Sequence, residues 1–387
     1  MITENQKHNI EVADIFAQHS AQFLETHKLC CDQIKAAHDI MNCRTALLGG
    51  HLQQCDQCAH QRPAYNSCRN RHCPKCQYIK QIQWVDKLKS ILPPTRYFHL
   101  VFTIPSSLHK TFYINQRVCY DLLFKAAATT LKKAGDNPDF LGAQTGAVAI
   151  LHSWGQTLTY HPHIHMIVPA GGLSYDQVEW VCNGKKFFLP VKALSKMFRA
   201  ILCRMIGENI TDGNIKLPNG ITSFDSLKKK LYEKNWNVFS KKALGGPSSV
   251  VQYLGKYTHR VAISNSRIEK LEHGKVTFRW KDYRKALKNK LMEITAEEFI
   301  SRFLLHILPS RFYKIRYYGL LAAANSCSKK ESVFRIIGKT TYLSSLEGLN
   351  ALEVLRIVAN TDLYICPKCK KGRMRIKSLN LLRKAPS

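Results

Sequence analysis

One stretch decides the fold, and it reads Thr159-Tyr160-His161-Pro162-His163-Ile164-His165-Met166-Ile167-Val168. The apolar residues after the histidines, ended by Pro169, predict a buried strand that runs into a turn. Successive side chains of a strand point to opposite faces, so His163 and His165 project from one side while Ile164 enters the apolar layer behind. Two imidazoles held side by side on a strand form half of a metal site.

The segments on either side predict a sheet around this strand. Residues 97–105 and 148–156 are rich in aromatic and β-branched side chains, which is typical of strands. Since only a short turn separates the second run from the histidine strand, the two are expected to form an antiparallel hairpin. Such a hairpin could bring Gln156 beside His163, and His161 is a rival third ligand. A mixed imidazole and amide set suits Mg²⁺ or Mn²⁺.

The charge of the chain indicates a polyanionic partner. Its 387 residues include 58 Lys and Arg against 27 Asp and Glu, a formal net charge of +31. A surplus of this size repels itself on the surface unless a polyanion neutralises it, so nucleic acid is expected and an anionic membrane surface is the second choice. The chain has no apolar run of 18 residues and no signal peptide at its start, which predicts a cytoplasmic protein without membrane spans.

The cysteines predict zinc rather than disulfides, because six of the 14 fall between Cys43 and Cys76. Two Cys-x-x-Cys knuckles, fourteen residues apart, are expected to complete one tetrahedral site; its ligands are Cys55, Cys58, Cys73 and Cys76. Nearby residues are candidate ligands of a second ion, in addition to the first; they are Cys43, His51, Cys68 and His72. A further pair, Cys366 and Cys369, is half of a zinc ribbon without an evident second half.

Residues 248–261 predict a helix that carries two tyrosines. Tyr253 and Tyr257 are four residues apart and therefore share one face, with Lys256 and Arg260 on a basic face beside them. A phenolate attacks phosphorus well when a metal polarises the phosphate, and it forms a covalent phosphotyrosine. Lys256 could lower the phenol pKa or stabilise the leaving oxygen. Such a tyrosine pair is usually part of a core, but beside a histidine strand it indicates DNA cleavage and transfer.

Basic side chains lie among aromatic residues at several other points. This mixture suits contacts to the phosphate backbone and stacking of bases, although a solvated surface would explain it as well. Two of the arginines belong to the cysteine-rich segment, and the others follow the tyrosines or lie in the last third of the chain. The candidate DNA-binding residues are Arg69, Arg71, Arg260, Arg284 and Arg316.

Together these motifs resemble a known family. The His-hydrophobic-His strand followed by a Tyr-x-x-x-Tyr helix resembles the two-tyrosine branch of the HUH endonuclease superfamily. The wider pattern is similar to the transposases of rolling-circle insertion sequences of the IS91 type, which are related to Helitrons. The segments that carry this likeness are Asn70 to Cys76, Leu151 to Gln156, His161 to His165, Tyr253 to Arg260, Glu298 to Phe303, and Arg316 to Gly319.

The resemblance implies an α+β protein with the HUH fold, a central and mainly antiparallel sheet with flanking helices, preceded by a small zinc-binding domain. It implies that His163 and His165 bind a divalent metal, and that the tyrosines attack single-stranded DNA to leave a 5′-phosphotyrosine and a free 3′-OH. An acidic or amide residue upstream often completes the metal site. Gln156 matches that placement and Gln252 is the alternative, while Tyr253 is favoured for the first cut.

This interpretation divides the chain into four parts: a helical arm at 1–42, a zinc-binding domain at 43–92, a catalytic domain at 93–325 with an insertion at about 173–245, and a basic C-terminal region at 326–387. It predicts structural Zn²⁺, catalytic Mg²⁺ or Mn²⁺, and as partners the single-stranded DNA ends of the chain's own mobile element and target DNA, in a nucleoid-associated bacterial protein. The alternatives are a plasmid rolling-circle replication initiator or relaxase, and a non-enzymatic zinc-finger protein that binds nucleic acid.

Overall fold

The structure is a computed structural model, and it describes residues 10–182, 190–242, 246–258, 262–282, 288–325, 328–338, 342–360 and 362–381. For residues 242, 252–254, 256–258, 288, 328 and 378–381 it describes the backbone alone.

Helices and strands alternate irregularly along the chain. The helices are α1 Val12–Thr26, α2 Cys31–Met41, α3 Gln77–Ile91, α4 His109–Ile114, α5 Gln116–Asp136, α6 Val191–Thr211, α7 Phe224–Glu233, α8 Pro247–Thr258, α9 Ala296–Leu304, α10 Ser328–Ile337 and α11 Ala351–Ala359. The strands are β1 Gly50–Cys55, β2 Gln61–Tyr65, β3 Tyr97–Thr103, β4 Gly146–Trp154, β5 Tyr160–Pro169, β6 Gly171–Leu173, β7 Trp180–Cys182, β8 Val238–Lys242, β9 Ile268–Glu272, β10 Lys275–Asp282, β11 Lys288–Thr295, β12 Ile315–Gly319 and β13 Met374–Leu381. None of the helices in these ranges is long and apolar enough to cross a membrane.

A five-stranded sheet in the order β12-β4-β5-β3-β8 forms the centre of the molecule, and each neighbouring pair in it is antiparallel. The histidine strand, β5, is its middle member, and the predicted hairpin with β4 is confirmed. The mixed helical and antiparallel architecture expected from the sequence is therefore present.

The two faces of this sheet have different partners. One face carries alternate residues such as Ile164, Met166 and Val168, which join the main hydrophobic core with α4, α5, α6 and α7. The opposite face carries Ile150 and Ile167, which pack against α3 and α8. Because side chains alternate along a strand, this second face is also the one that carries the histidines.

The N-terminal helices pack on a separate part of the molecule. The predicted arm contains two helices, α1 and α2, and its apolar side chains join those of α9, β9 and β10 in a second core. Phe16 of α1 meets Phe303 of α9 edge to face, with ring centroids 5.4 Å apart. This edge-to-face contact fixes the arm against the sheet formed by β9, β10 and β11.

The segment expected as an insertion at about 173–245 contributes to the central sheet and to the main core. Its strand β8 completes one edge of the central sheet by pairing with β3, and its helix α6 lies in the main core beside α5.

The zinc module, the segment 43–92 that the sequence predicts to bind zinc, is completed by a strand from the far end of the chain. Its hairpin of β1 and β2 gains a third strand, β13, which pairs with β1 to give the order β13-β1-β2. The C-terminal region, where the sequence predicts half of a zinc ribbon, thus contributes a strand to this sheet.

Candidate active site and metal centres

Three imidazoles converge on the second face of the central sheet. His152 of β4 lies directly across the ladder from His163 of β5, and His165 is two residues further along β5. One ring nitrogen from each of these residues lies within 4.8 Å of the others. The Nε2 atoms of His163 and His165 are 3.0 Å apart. The two histidines predicted as metal ligands are thus brought together, with His152 as an additional member.

The spacing fits one shared metal ion. Two ligands about 2.1 Å from an ion and at right angles to each other lie about 3.0 Å apart, which matches the separation of the His163 and His165 nitrogens. Burial lowers the pKa of His163 to about 4, and it holds the pKa of His165 well below its ordinary value. The rings are therefore neutral at physiological pH, and neutrality is what a nitrogen ligand requires.

The remaining ring nitrogens are oriented by hydrogen bonds. His163 Nδ1 lies 2.6 Å from the carbonyl oxygen of His161, which can only accept, so Nδ1 carries the proton and Nε2 has the lone pair. His165 Nδ1 lies 2.8 Å from Nε2 of His99, on β3. His99 is buried, and desolvation, with a smaller contribution from the charge of Lys241, lowers its pKa to about 4. Partners of this kind fix the ring orientation of metal-binding histidines.

Gln156, the predicted third ligand, lies elsewhere in the hairpin. The β4–β5 register pairs His152 with His163 and Trp154 with Tyr160, so Gln156 falls in the connecting turn. The main-chain carbonyl oxygen of Gln156 accepts a hydrogen bond from Arg267 at 2.7 Å. The short turn inferred from the sequence was correct, but the register was not, and the position opposite His163 belongs to an imidazole. The rival Gln252 has a side chain outside the described residues.

The tyrosine helix, α8, lies against the histidine-bearing face. Val250 and Val251 of α8 are buried among Ile150 and Ile167 of that face. Tyr253 and Tyr257 follow Val250 by three and seven residues, the spacing of one helical stripe. The side chains of Tyr253, Lys256 and Tyr257 lie outside the described residues, so their predicted roles stay predictions.

A glycine brings α8 close to the zinc module. Gln81 of α3 donates a hydrogen bond from Nε2 to the carbonyl oxygen of Gly255, and a Cβ added at Gly255 would lie 2.9 Å from a methyl carbon of Val85. A larger residue at this position would push the helices apart. The zinc module therefore supports the tyrosine helix directly, through α3.

Within the described residues the cysteines form two clusters of four, and their grouping differs from the one expected from the sequence. The predicted set is divided, since Cys73 and Cys76 lie with Cys43 and Cys68, whereas Cys55 and Cys58 lie with Cys366 and Cys369. Within the first cluster, Sγ of Cys76 is 3.4 Å from that of Cys43 and 3.6 Å from that of Cys68. Hydrogen bonds from Cys68 and Cys73 lower the pKa of Cys76.

The β1–β2 hairpin explains why the two knuckles do not meet. Cys55 ends β1 beside the turn, whereas the open end of the hairpin, where Gly50 pairs with Tyr65, adjoins the loops that carry the first cluster. Five residues of strand span about 17 Å, so the hairpin keeps the two ends well apart. A spacing of fourteen residues could not reveal this strand between the knuckles.

The predicted histidine ligands of a second zinc have other partners. His72 accepts a hydrogen bond at Nε2 from the amide of Leu308, at 3.1 Å, and its Nδ1 lies 3.2 Å from Oδ1 of Asn70. His51 lies on β1, and its Nε2 is 3.2 Å from the side-chain amide nitrogen of Gln53. Cys43 and Cys68, the other members of that set, instead join the knuckle of Cys73 and Cys76.

Two of the predicted DNA-binding arginines have partners within the protein. Arg71 donates to the carbonyl oxygens of residues 308, 309 and 312. Arg316 pairs with Asp121 and stacks over the ring of Phe124, 4.3 Å from its centroid. Arg69 is exposed, in the loop beside the first cysteine cluster, so a DNA contact there stays a prediction. Arg260 and Arg284 lie outside the described residues.

The chain is similar to known proteins over most of its length. Residues 146–330, which include the histidines and α8, match a family model described as "Putative transposase". Residues 15–104 match a "Transposase zinc-binding domain". "Putative transposase y4qJ" of Sinorhizobium fredii (strain NBRC 101917 / NGR234) is 40% identical over 376 residues, covering 94% of this chain and 94% of that protein. The chain belongs to the IS91 family of transposases.

A more distant relative supports the same assignment. The transposase is 28% identical over 310 residues to the "Transposase for insertion sequence element IS801" of Pseudomonas savastanoi pv. phaseolicola, which covers 78% of this chain and 73% of that protein. No solved structure gives a significant match to the transposase. The matched zinc-binding domain and the cysteine clusters support a structural zinc, and the segment 15–104 contains the whole first cluster.

The sequence missed two residues of the histidine site. His152 lies in the segment Leu151 to Gln156, which carries the likeness to the family, but it was not predicted as a ligand. Its place on the strand before the histidine pair was a usable signal. His99 lies on β3 and reaches His165 through a diagonal contact, because Val101 is the residue directly opposite His165. Strand alternation could have predicted on which face of its strand each of these histidines lies. It could not have predicted that this face belongs to the metal site.

Proposed function

We propose that this transposase cuts and rejoins single-stranded DNA by tyrosine attack on a phosphodiester, as rolling-circle transposition requires, with an HUH-type catalytic domain. The observation that carries the proposal is that α8, the helix of Tyr253 and Tyr257, packs on the sheet face that bears His152, His163 and His165. A nucleophile-bearing helix beside a metal-binding set is the arrangement that metal-assisted phosphoryl transfer needs.

In this proposal His152, His163 and His165 hold a divalent metal through their converging nitrogens. A metal bound there acts as a Lewis acid that polarises a phosphate oxygen. For His165 to bind the metal through Nε2, its Nδ1 must carry the ring proton and donate a hydrogen bond to Nε2 of His99. His99 must then carry its own proton on Nδ1. A donor set of three nitrogens favours Mn²⁺ over Mg²⁺, in contrast to the mixed set expected from the sequence.

The bonds balance without any further reactant. The phenol oxygen of Tyr253 or Tyr257 bonds to phosphorus, the bond from phosphorus to the 3′ oxygen breaks, and the phenol proton ends on the released 3′-OH. Lys256, one residue before the second tyrosine, is proposed to lower the phenol pKa or to stabilise the leaving oxygen. The 5′-phosphotyrosine retains the phosphodiester energy, so attack by another 3′-OH reverses the step and joins the DNA elsewhere.

The test uses single-stranded oligonucleotides from the two ends of the transposase's own element, labelled at the side that would stay with the protein. With Mn²⁺ we expect a labelled protein band on a denaturing gel that protease removes and that EDTA prevents. Tyr253→Phe combined with Tyr257→Phe should abolish the band, whereas Tyr232→Phe, a matched loss of a hydroxyl on α7, should leave it unchanged. Adducts that persist in the double variant would disprove the tyrosine mechanism.

A further inference from the structure

We propose that Cys55, Cys58, Cys366 and Cys369 bind a second structural zinc, one that joins the two ends of the chain. Cys58 and Cys366 are separated by 308 residues in sequence, and their sulfur atoms are 3.6 Å apart. The C-terminal pair lies outside both segments matched by the family models, 15–104 and 146–330. The zinc-binding domain of the family therefore does not account for this site.

The sulfur atoms have the spacing of a tetrahedral thiolate site. Four sulfurs about 2.3 Å from one zinc ion lie about 3.8 Å from each other. The Sγ atoms of Cys55 and Cys369 are 3.7 Å apart, close to that value and to the 3.6 Å between Cys58 and Cys366. A disulfide would need about 2.05 Å, so the observed separations fit a shared ion rather than a covalent pair.

Backbone amides stabilise thiolates in both knuckles. The amides of Gln57 and Cys58 point at Sγ of Cys55, at 3.4 and 3.5 Å, and the amide of Gly372 points at Sγ of Cys369, at 3.3 Å. A donor that favours the charged sulfur prepares it as a ligand, since only the thiolate binds the metal.

The surrounding contacts hold the two knuckles face to face. Asp56, inside the first knuckle, accepts a hydrogen bond from the amide of Arg373 at 2.8 Å and pairs with Arg375 at 3.1 Å. A Cβ at Gly372 would collide with Sγ of Cys55, so glycine is required for the close approach. The site thus lies where β13 joins β1, and a bound ion would fix the C-terminal strand to the zinc module.

The region before Cys366 is docked independently on the same module. Asp86 of α3 accepts hydrogen bonds from the hydroxyls of Tyr342 and Ser344, both at 2.6 Å, and from the amide of Leu346 at 3.0 Å. These contacts bring the C-terminal chain back to the zinc module without help from the cysteines. These contacts therefore offset part of the entropic cost of bringing together cysteines 308 residues apart before the ion binds.

The experiment measures zinc per chain, by mass spectrometry of the metal, in full-length protein purified with zinc present. All samples carry His163→Ala and His165→Ala, so that the histidine site does not add to the count. We expect two zinc ions per chain in this background and one after Cys366→Ser with Cys369→Ser. The matched control is Cys30→Ser with Cys31→Ser, an exposed pair at the start of α2, which should retain two.

Cobalt replacement supplies a second measurement on the same chains, where the parent is the protein that carries only His163→Ala and His165→Ala. Two tetrathiolate sites should give twice the thiolate-to-cobalt absorbance of one site, and the Cys366 and Cys369 substitutions should halve it. One zinc per chain in the parent, or two that survive the double substitution, would overturn the proposal. If the substituted chain does not fold, the parent's cobalt absorbance alone decides between one thiolate site and two.

Discussion

The histidine site and the cysteine clusters differ in how their ligands are held and in what they leave open. The three imidazoles belong to two adjacent strands of one hairpin, and three ligands leave coordination positions for a substrate. The cysteine clusters offer four thiols each, enough to complete a tetrahedral ion, and one of them draws its members from opposite ends of the chain. A metal site with free coordination positions on rigid strands suits catalysis. A site whose four ligands come from separate segments suits holding those segments together.

The sharpest test of this contrast removes the histidine pair. His163→Ala with His165→Ala should lower the rate of DNA adduct formation by about 10³-fold or more, because the loss of metal assistance costs several kcal/mol in the transition state. The thiolate-bound zinc should not change. His38→Ala, an exposed histidine on α2, is the control and should retain full activity. Normal adduct formation in the double variant would mean that the site is structural.

A second comparison decides the third ligand. His152→Ala should weaken Mn²⁺-dependent cleavage by about 100-fold, since one of three metal-binding nitrogens is lost. Gln156→Ala should change the rate by less than about threefold, because the register leaves this residue in the turn. Cleavage rates measured across a Mn²⁺ titration distinguish the two. A larger loss for Gln156→Ala would restore the ligand set expected from the sequence.

The role of His99 predicts a smaller effect with a particular signature. His99→Phe should raise the Mn²⁺ concentration needed for half-maximal cleavage by about tenfold, because His165 loses the partner that orients it. The rate at saturating Mn²⁺ should recover. His99→Gln, which retains an acceptor, should lie between the variant and the parent. A drop in the saturated rate with no change in Mn²⁺ dependence would contradict a positioning role.

The smallest predicted effect links the two kinds of site. Gly255→Ala should lower the free energy of unfolding by about 1 kcal/mol and slow adduct formation a few-fold, since the new methyl group meets Val85 of the zinc module. Gly246→Ala, just before the same helix, has open space around its Cβ position and should be neutral. Thermal unfolding and adduct rates of both variants test this coupling. Equal behaviour of the two would show that α3 does not position α8.

Much of the catalytic half could be predicted from local pattern. The histidine strand, the strand at 97–103 and the tyrosine helix all follow from residue spacing, because side-chain alternation and helical stripes are set within a few residues. The third imidazole could not be found in this way. Whether His152 or Gln156 lies opposite His163 depends on register, and a slip of even one residue reverses which face each side chain takes.

The zinc module was harder to predict for a different reason. Motif spacing indicated zinc, and the matched family domain agrees, but the grouping of the cysteines was wrong. Arg71 was likewise expected on DNA from its charge, whereas it binds backbone carbonyls of the segment after α9. In both cases the deciding partner lies more than 200 residues away in sequence.

The sequence by itself determined that this chain carries a two-histidine strand, a two-tyrosine helix, cysteine knuckles and a large positive charge, because each of these is a property of residue type and short spacing. Only the tertiary structure decided which residues meet. It added His152 and His99 to the histidine site, and it joined Cys55 and Cys58 to Cys366 and Cys369. Strand register and the docking of chain ends depend on packing summed over the whole molecule, and no short window of sequence contains that sum.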